Sequence, residues 1–233
     1  KYTVPVSQVD AGFVSFVEEE VLTVKIDERI YDLMKLVKKN KVYKFKNGKT
    51  ILADTPVKMQ GIFHQLSSGT IKITEQKEDG EEVTYYALDE SKALFIKTRF
   101  AGQKIAIYYK YIEEGNVLRR VFPNHTDSTN VFNAREDVVF IRQMVAGREG
   151  VNLSTADALV MYNIDFSATT YWQVRARMQT KTRTKASKLY WIFSERGIEQ
   201  HVYDAVAKKK DFTLDYFRAS YDKIGQPRQM SLI

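Results

Sequence analysis

Four short, unbroken apolar runs constrain the fold of this chain more than any other feature: Ile105–Tyr109, Val138–Ile141, Ala158–Tyr162 and Leu189–Phe193. Each has the length of a strand and no polar alternation, so each reads as a strand buried on both faces. Helical segments separate and follow them. Val117, Leu118, Val121 and Phe122 form a stripe that ends at Pro123, a second helix is expected near Thr169–Gln179, and a last one from about Ile198 to Lys209. Strands alternating with helices predict an α/β fold, a mainly parallel sheet with helices on both faces. Ligands are then expected outside the carboxyl ends of the strands.

The first hundred residues read differently, as irregular α+β. Asp27 can cap a helix to about Lys38, with Ile30, Leu33, Met34 and Val37 as its apolar stripe. Val42–Phe45 and Thr50–Ala53 flank Asn47-Gly48, a hairpin turn signal. A second helix is expected from Thr55-Pro56 to Ser67-Ser68-Gly69, with proline at an early helical position. Thr70–Thr74 and Val83–Leu88 then bracket Asp79-Gly80, and Asp89 or Ser91 can cap a helix to Phe100. The expected organisation is an α+β connecting region over 1–98, an α/β lobe over 99–218 and a tail over 219–233.

Hydrophobic residues make up 44% and aromatic residues 12% of the 233, enough for a folded core rather than a disordered chain. There is no cysteine, which excludes disulfides and thiolate metal sites. His64, His125 and His201 show no ligand spacing, so no metal site is expected. No apolar run approaches the roughly 20 residues that cross a bilayer, and no membrane partner is expected. The chain starts at Lys1 without methionine, as a partial or processed chain does. Net charge is +7, which favours a polyanionic partner. Arg175, Arg177, Lys181, Arg183, Lys185 and Lys188 form one basic block, with no acid from Phe166 to Ser194, while acids gather at Glu18–Glu20 and Asp79–Glu82.

A glycine-rich stretch, Val145-Ala-Gly-Arg-Glu-Gly-Val-Asn-Leu-Ser-Thr-Ala-Asp157, joins two of the strands, and Gln173-Val-Arg-Ala-Arg-Met-Gln-Thr180 follows the second. Gly147 and Gly150 permit a tight turn and close backbone approach to a ligand. Residues 173 and 177 lie one helical turn apart, and two long donors on one face suit an anion, with phosphate the leading candidate. Tyr171, Val174 and Met178 supply the stripe that anchors this helix. Gly48-Lys49-Thr50 mimics the end of a P-loop, and Tyr86-Ala-Leu-Asp89-Glu90 mimics a Walker B strand. A P-loop needs a glycine five residues before its second glycine, and that position is Tyr43, so a hairpin is expected instead. Tyr190, Trp191 and Phe193 are expected in the core. Trp172, at the start of the helix, is open to either packing or base stacking.

Gly147-x-Glu149-Gly150-x-Asn152-Leu153 resembles motif V of superfamily-two helicases, in the form used by Swi/Snf-type DNA translocases. Gln173-x-x-x-Arg177 resembles the start of motif VI, and Lys104–Tyr109 resembles the motif IV strand. The resemblance covers residues 90–210 well and the first ninety loosely. Asn124–Asn133 looks shortened where the family usually has a further strand and helix. The resemblance implies a C-terminal RecA-like motor lobe, of bacterial or phage type, working in the cytoplasm at the nucleoid. It implies ATP and Mg²⁺ bound against an N-terminal RecA-like lobe of the same protein, which carries the P-loop and the Mg²⁺-binding acid. It also implies DNA as partner, with duplex favoured, and no activity for this chain alone. By resemblance Arg177 is the arginine finger and Gln173 organises the nucleotide face. Glu149, Gly150, Asn152 and Lys181 face the nucleotide, and Arg148, Ser154, Arg175 and Arg183 face phosphates of DNA.

One position departs from the pattern: the second motif VI arginine is Thr180 here. Lys181, Arg183 or Arg175 can stand in, but only arginine offers a planar bidentate fork. The departure favours a rival of another class, a non-catalytic nucleic-acid or protein-binding module with a RecA-like shape. A self-sufficient ATPase requires nucleotide at Lys49.

Overall fold

The four apolar runs do form strands, and two further strands complete a six-stranded sheet in which every pairing is parallel. The structure is a computed structural model that describes residues 17–144, 153, 155–177 and 187–226, with the backbone alone for 175–177 and 187. In chain order, the elements begin with β1 (Val17–Val24), α1 (Glu28–Asn40), β2 (Val42–Lys44), β3 (Thr50–Leu52), α2 (Pro56–Ser67), β4 (Thr70–Lys77), β5 (Gly80–Ala87) and α3 (Ser91–Arg99). Then come β6 (Ile105–Tyr109), α4 (Ile112–Val121), β7 (His125–Thr126), α5 (Thr129–Ala134) and β8 (Val139–Gln143). The last elements are β9 (Ala158–Met161), α6 (Ala168–Arg177), β10 (Ser187–Ser194), α7 (Glu199–Val206) and α8 (Leu214–Ser220). The sheet order is β1-β10-β9-β6-β8-β7.

Alternation along the strands feeds two cores, one on each face of the sheet. Leu159, Met161, Leu189, Trp191, Phe193, Ala106 and Tyr108 join α1, α2, α6 and α7 on one side. Val160, Ile192, Ile105 and Ile107 join α3 and α4 on the other. Buried on both faces, these strands carry the continuous apolar runs seen in the sequence. Local signals hold as well. Asp27 accepts from Arg29 N at the start of α1, and Ile30, Leu33, Met34 and Val37 are buried. Thr55 caps α2, with Pro56 in its first turn. β2–β3 and β4–β5 are antiparallel hairpins at the two predicted turns.

Three features differ from the expectations. β1 is an edge strand of the main sheet, paired with β10 from Val17–Ser187 to Val24–Ser194. Its acidic triplet Glu18–Glu20 masks the strand pattern, and its partner lies 170 residues away in sequence. The sheet therefore crosses the division drawn at 98 and 99. The strand and helix absent from the reading of Asn124–Asn133 are present in abbreviated form, as β7 and α5. Glu90 holds the N-cap position of α3 without a side-chain cap hydrogen bond, and the expected Asp89 accepts from Ser91 N at the start of the helix and from Asp27 N, tying the start of α3 to that of α1. No helix among the described residues is long and apolar enough to cross a membrane.

The connection from β6 leads to β7 and β8 on one side, and the connection from β9 leads to β10 on the other. Adjacent strands whose connections part in this way define a switch point, and it lies between β6 and β9.

Candidate nucleotide-facing helix

In an open parallel sheet the crevice at the switch point is the default ligand site. Here it is filled. His64 of α2 is fully buried, with Nδ1 2.7 Å from the Tyr111 hydroxyl just beyond β6. Its ring lies 4.5 Å from that of Phe166, just beyond β9. Burial, with Lys110 and Lys92 nearby, holds the imidazole well below its usual pKa, so it is neutral. Burial likewise pushes the Tyr111 phenol up. Below them, Lys110 reaches Asp165 at 2.7 Å and ties the two strand ends together. Buried Glu114 accepts from Lys110 N at 2.8 Å, from Tyr111 N at 2.9 Å and from the Asn163 amide.

The helix α6 leaves β9 through Asn163–Ser167. Asp165 accepts from Ser167 N and Asp211 from Ala168 N, which together satisfy donors at the start of the helix. Tyr171 and Val174 are buried. Tyr171 stacks on Trp191 at 5.5 Å and donates to Glu19 at 2.8 Å. Trp191 Nε1 donates to the same Glu19 oxygen at 2.7 Å. Burial and this hydrogen bond to a carboxylate push the Tyr171 phenol up. With that face pinned, Gln173 is exposed, and position 177 follows one turn later on the same edge.

Among the sequence-predicted residues, the structure places Gln173 fully and the backbone of Arg175 and Arg177. The side chains of those two arginines, and Arg148, Glu149, Gly150, Asn152, Ser154, Lys181 and Arg183, lie outside the described residues. So do Met178 and Thr180. The far end of the glycine-rich stretch is anchored: Leu153 is buried in the core, and Asp157 exchanges two hydrogen bonds of 2.7 Å with the backbone of Lys104. Trp172 is half-buried, donates to Val206 O and carries Lys209 over its ring at 5.3 Å, so it packs. Sequence reasoning missed Glu19. The signal for it was indirect, since a buried tyrosine or tryptophan needs an acceptor for its polar tip.

Lys49 is no phosphate ligand as it stands. It sits in the β2–β3 hairpin between Glu75 and Glu82, at 2.8 and 2.5 Å, and these partners raise its pKa. Among the described residues no three His, Asp or Glu side chains converge in a way that could hold a metal ion.

No family model matches the chain. Its sequence relatives are chromatin-remodelling ATPases and a helicase. It is 25% identical over 143 residues to the mouse chromatin-remodeling ATPase INO80, covering 54% of this chain and 9% of that protein. A Drosophila melanogaster SWI/SNF-related regulator of chromatin containing DEAD/H box 1 is 24% identical over 151 residues, covering 54% and 18%. Helicase swr1 of Aspergillus fumigatus is 29% identical over 100 residues, covering 38% and 6%. The chain thus spans less than a fifth of each of these relatives. Among solved structures, the C-terminal part of the Fun30 ATPase domain is similar at 19% identity and TM-score 0.45, covering 58% of this chain and 51% of that one.

Proposed function

We propose that this chain is the second motor lobe of an ATP-dependent, Swi/Snf-like DNA helicase or translocase. The observation that carries the reading is α6. It follows β9 of an all-parallel sheet, is pinned by Tyr171 and Val174, and leaves Gln173 exposed, in keeping with the motif VI resemblance. ATP then lies between this edge and a facing lobe that supplies the P-loop and the Mg²⁺ ligands. Gln173 organises the nucleotide face, and Arg177 answers the charge that builds on the transferring phosphoryl group. An arginine in this role is worth about 10³ to 10⁵ in rate in GTPases. Glu149, Gly150, Asn152 and Lys181 complete the nucleotide side. Arg148, Ser154, Arg175 and Arg183 face the DNA backbone, where basic side chains bind without reading sequence.

ATP hydrolysis by the complete protein, with and without duplex DNA, tests the reading. The expected outcome is strong stimulation by duplex, near-abolished by Arg177→Ala with the fold intact. Near-normal turnover in that variant removes Arg177 from the mechanism. Thr180, in place of the second motif VI arginine, favours a second reading, a binding module whose motor is disabled. Absence of hydrolysis with any nucleic acid selects that one.

A further inference from the structure

Between Leu33 and Ala53 the chain carries seven lysines, at 35, 38, 39, 41, 44, 46 and 49, and no Asp or Glu. The net charge of the whole chain is +7, so the remaining residues balance. The segment forms the second half of α1 and the β2–β3 hairpin, far in sequence from α6 and its basic block. Three of the seven are committed. Lys35 pairs with Asp32 at 3.0 Å, Lys38 lies 3.6 Å from Asp222, and Lys49 is held by Glu75 and Glu82. Lys77 shares Glu82, whose carboxyl these two lysines pull down to about 2. The acids of the β4–β5 hairpin nearest the segment are therefore already answered.

Lys39, Lys41, Lys44 and Lys46 remain, with Lys41 donating to the Tyr221 hydroxyl at 3.0 Å. All four are exposed, and none has a carboxylate partner among the described residues. Packing fixes where one of them projects. Tyr43 and Phe45 meet edge to face at 5.0 Å, and Phe45 stacks on Tyr86 at 5.8 Å, which turns both rings inward. Strand alternation then puts Lys44 on the outward face, while Lys46 lies beyond β2 in the exposed turn. Lys39 in the last turn of α1 answers the helix dipole. That explanation does not extend to the hairpin lysines.

We infer that this face is a second polyanion-binding surface, which takes the phosphate backbone of nucleic acid apart from the α6 segment. The inference rests on the motor reading for its choice of polyanion. A duplex presents one charge per about 1.7 Å of axis, so several phosphates fall within reach of four unneutralised lysines. Lysine serves as a point charge here, without sequence preference.

The test is fluorescence anisotropy of the 233-residue chain on a labelled mixed-sequence duplex, across about 50 to 200 mM salt. Wild type is compared with Lys39→Ala/Lys44→Ala/Lys46→Ala, with the same positions changed to Glu, and with Lys35→Ala as control. Circular dichroism melting confirms folding of each. Three lost phosphate contacts lower the slope of log K against log salt by about 2.7. Affinity falls at least tenfold at the low-salt end, further for the Glu variant, and Lys35→Ala changes neither quantity. Unmoved slope and affinity in the triple variants overturn the inference, as does absence of duplex binding by wild type. Loss of binding to phosphatidylserine vesicles with DNA binding intact overturns it in favour of a membrane. Self-association of the variants with DNA binding intact makes the lysines guards of an open strand edge and also overturns it. Failure of the motor reading is separable, since duplex-stimulated ATPase of the complete protein is measured independently of these lysines.

Discussion

His64 shows how much a single buried group can reveal. Its ring is wedged between Tyr111 and Phe166 with Lys110 and Lys92 nearby, and burial keeps it neutral in the folded chain. An unfolded histidine titrates near 6.5. Below that pH the unfolded chain takes up a proton that the folded chain refuses, so stability falls as pH drops. Above it both states are neutral and the contribution is flat. Between pH 7.5 and 5.0 this one group should cost at most about 2 kcal/mol. Urea unfolding at several pH values, for wild type and His64→Leu, checks the prediction. The variant starts from lower stability, because Tyr111 loses its partner, but its pH dependence should be shallower by that amount. Parallel curves would mean that the imidazole is protonated, or accessible, in the folded state.

At the scale of elements, α6 is held by a contact between residues 152 positions apart, Tyr171 and Glu19. One Glu19 oxygen accepts from both Tyr171 and Trp191, so removing it takes away an acceptor that two donors beneath the helix share. The cost should be about 2 kcal/mol, concentrated where the donors are. Hydrogen exchange should show α6 amides opening roughly thirtyfold faster in Glu19→Ala, less so in Glu19→Gln, which keeps an acceptor. Amides of α4, packed on the opposite face, serve as the reference, and an equal change in both helices would refute a local role. The same contact shows what a sequence can and cannot disclose. α1, α2 and both hairpins were legible because stripe, cap, proline and turn residues are all local. The outward edge of α6 was legible too, since burying Tyr171 and Val174 leaves position 173 exposed. β1 was not, because a strand of Val17-Glu-Glu-Glu-Val21 reads as solvated until β10 is beside it. β7, at two residues, has no periodicity to read. Glu114, Lys92 and Glu199 look like surface residues in sequence, yet all three are buried. Lys92 meets Glu199 at 3.2 Å across 107 residues.

For the molecule as a whole, the segment between β1 and β6 determines what the sheet can bind. Because β1 returns to the sheet edge, residues 25–104 are an excursion from one strand to another, and they place α2 against the strands' carboxyl ends. His64 then occupies the crevice at which open parallel sheets usually take a ligand. Removing it would expose the Tyr111 hydroxyl beside the Phe166 ring. The lysine with a P-loop-like sequence context, Lys49, is neutralised by two carboxylates, in a hairpin rather than at a helix start. A phosphate cradle needs successive backbone amides facing the anion, and an antiparallel pair spends its amides on the ladder. The 233-residue chain should therefore show no tight ATP binding by calorimetry and no hydrolysis, and Lys49→Ala should leave both null results unchanged. What Lys49→Ala should alter is the β4–β5 hairpin, where Glu75 and Glu82 lose a shared cation. Tight ATP binding that Lys49→Ala removes would place a complete nucleotide site in this chain, and α6 would then lose its claim to be one half of a shared site.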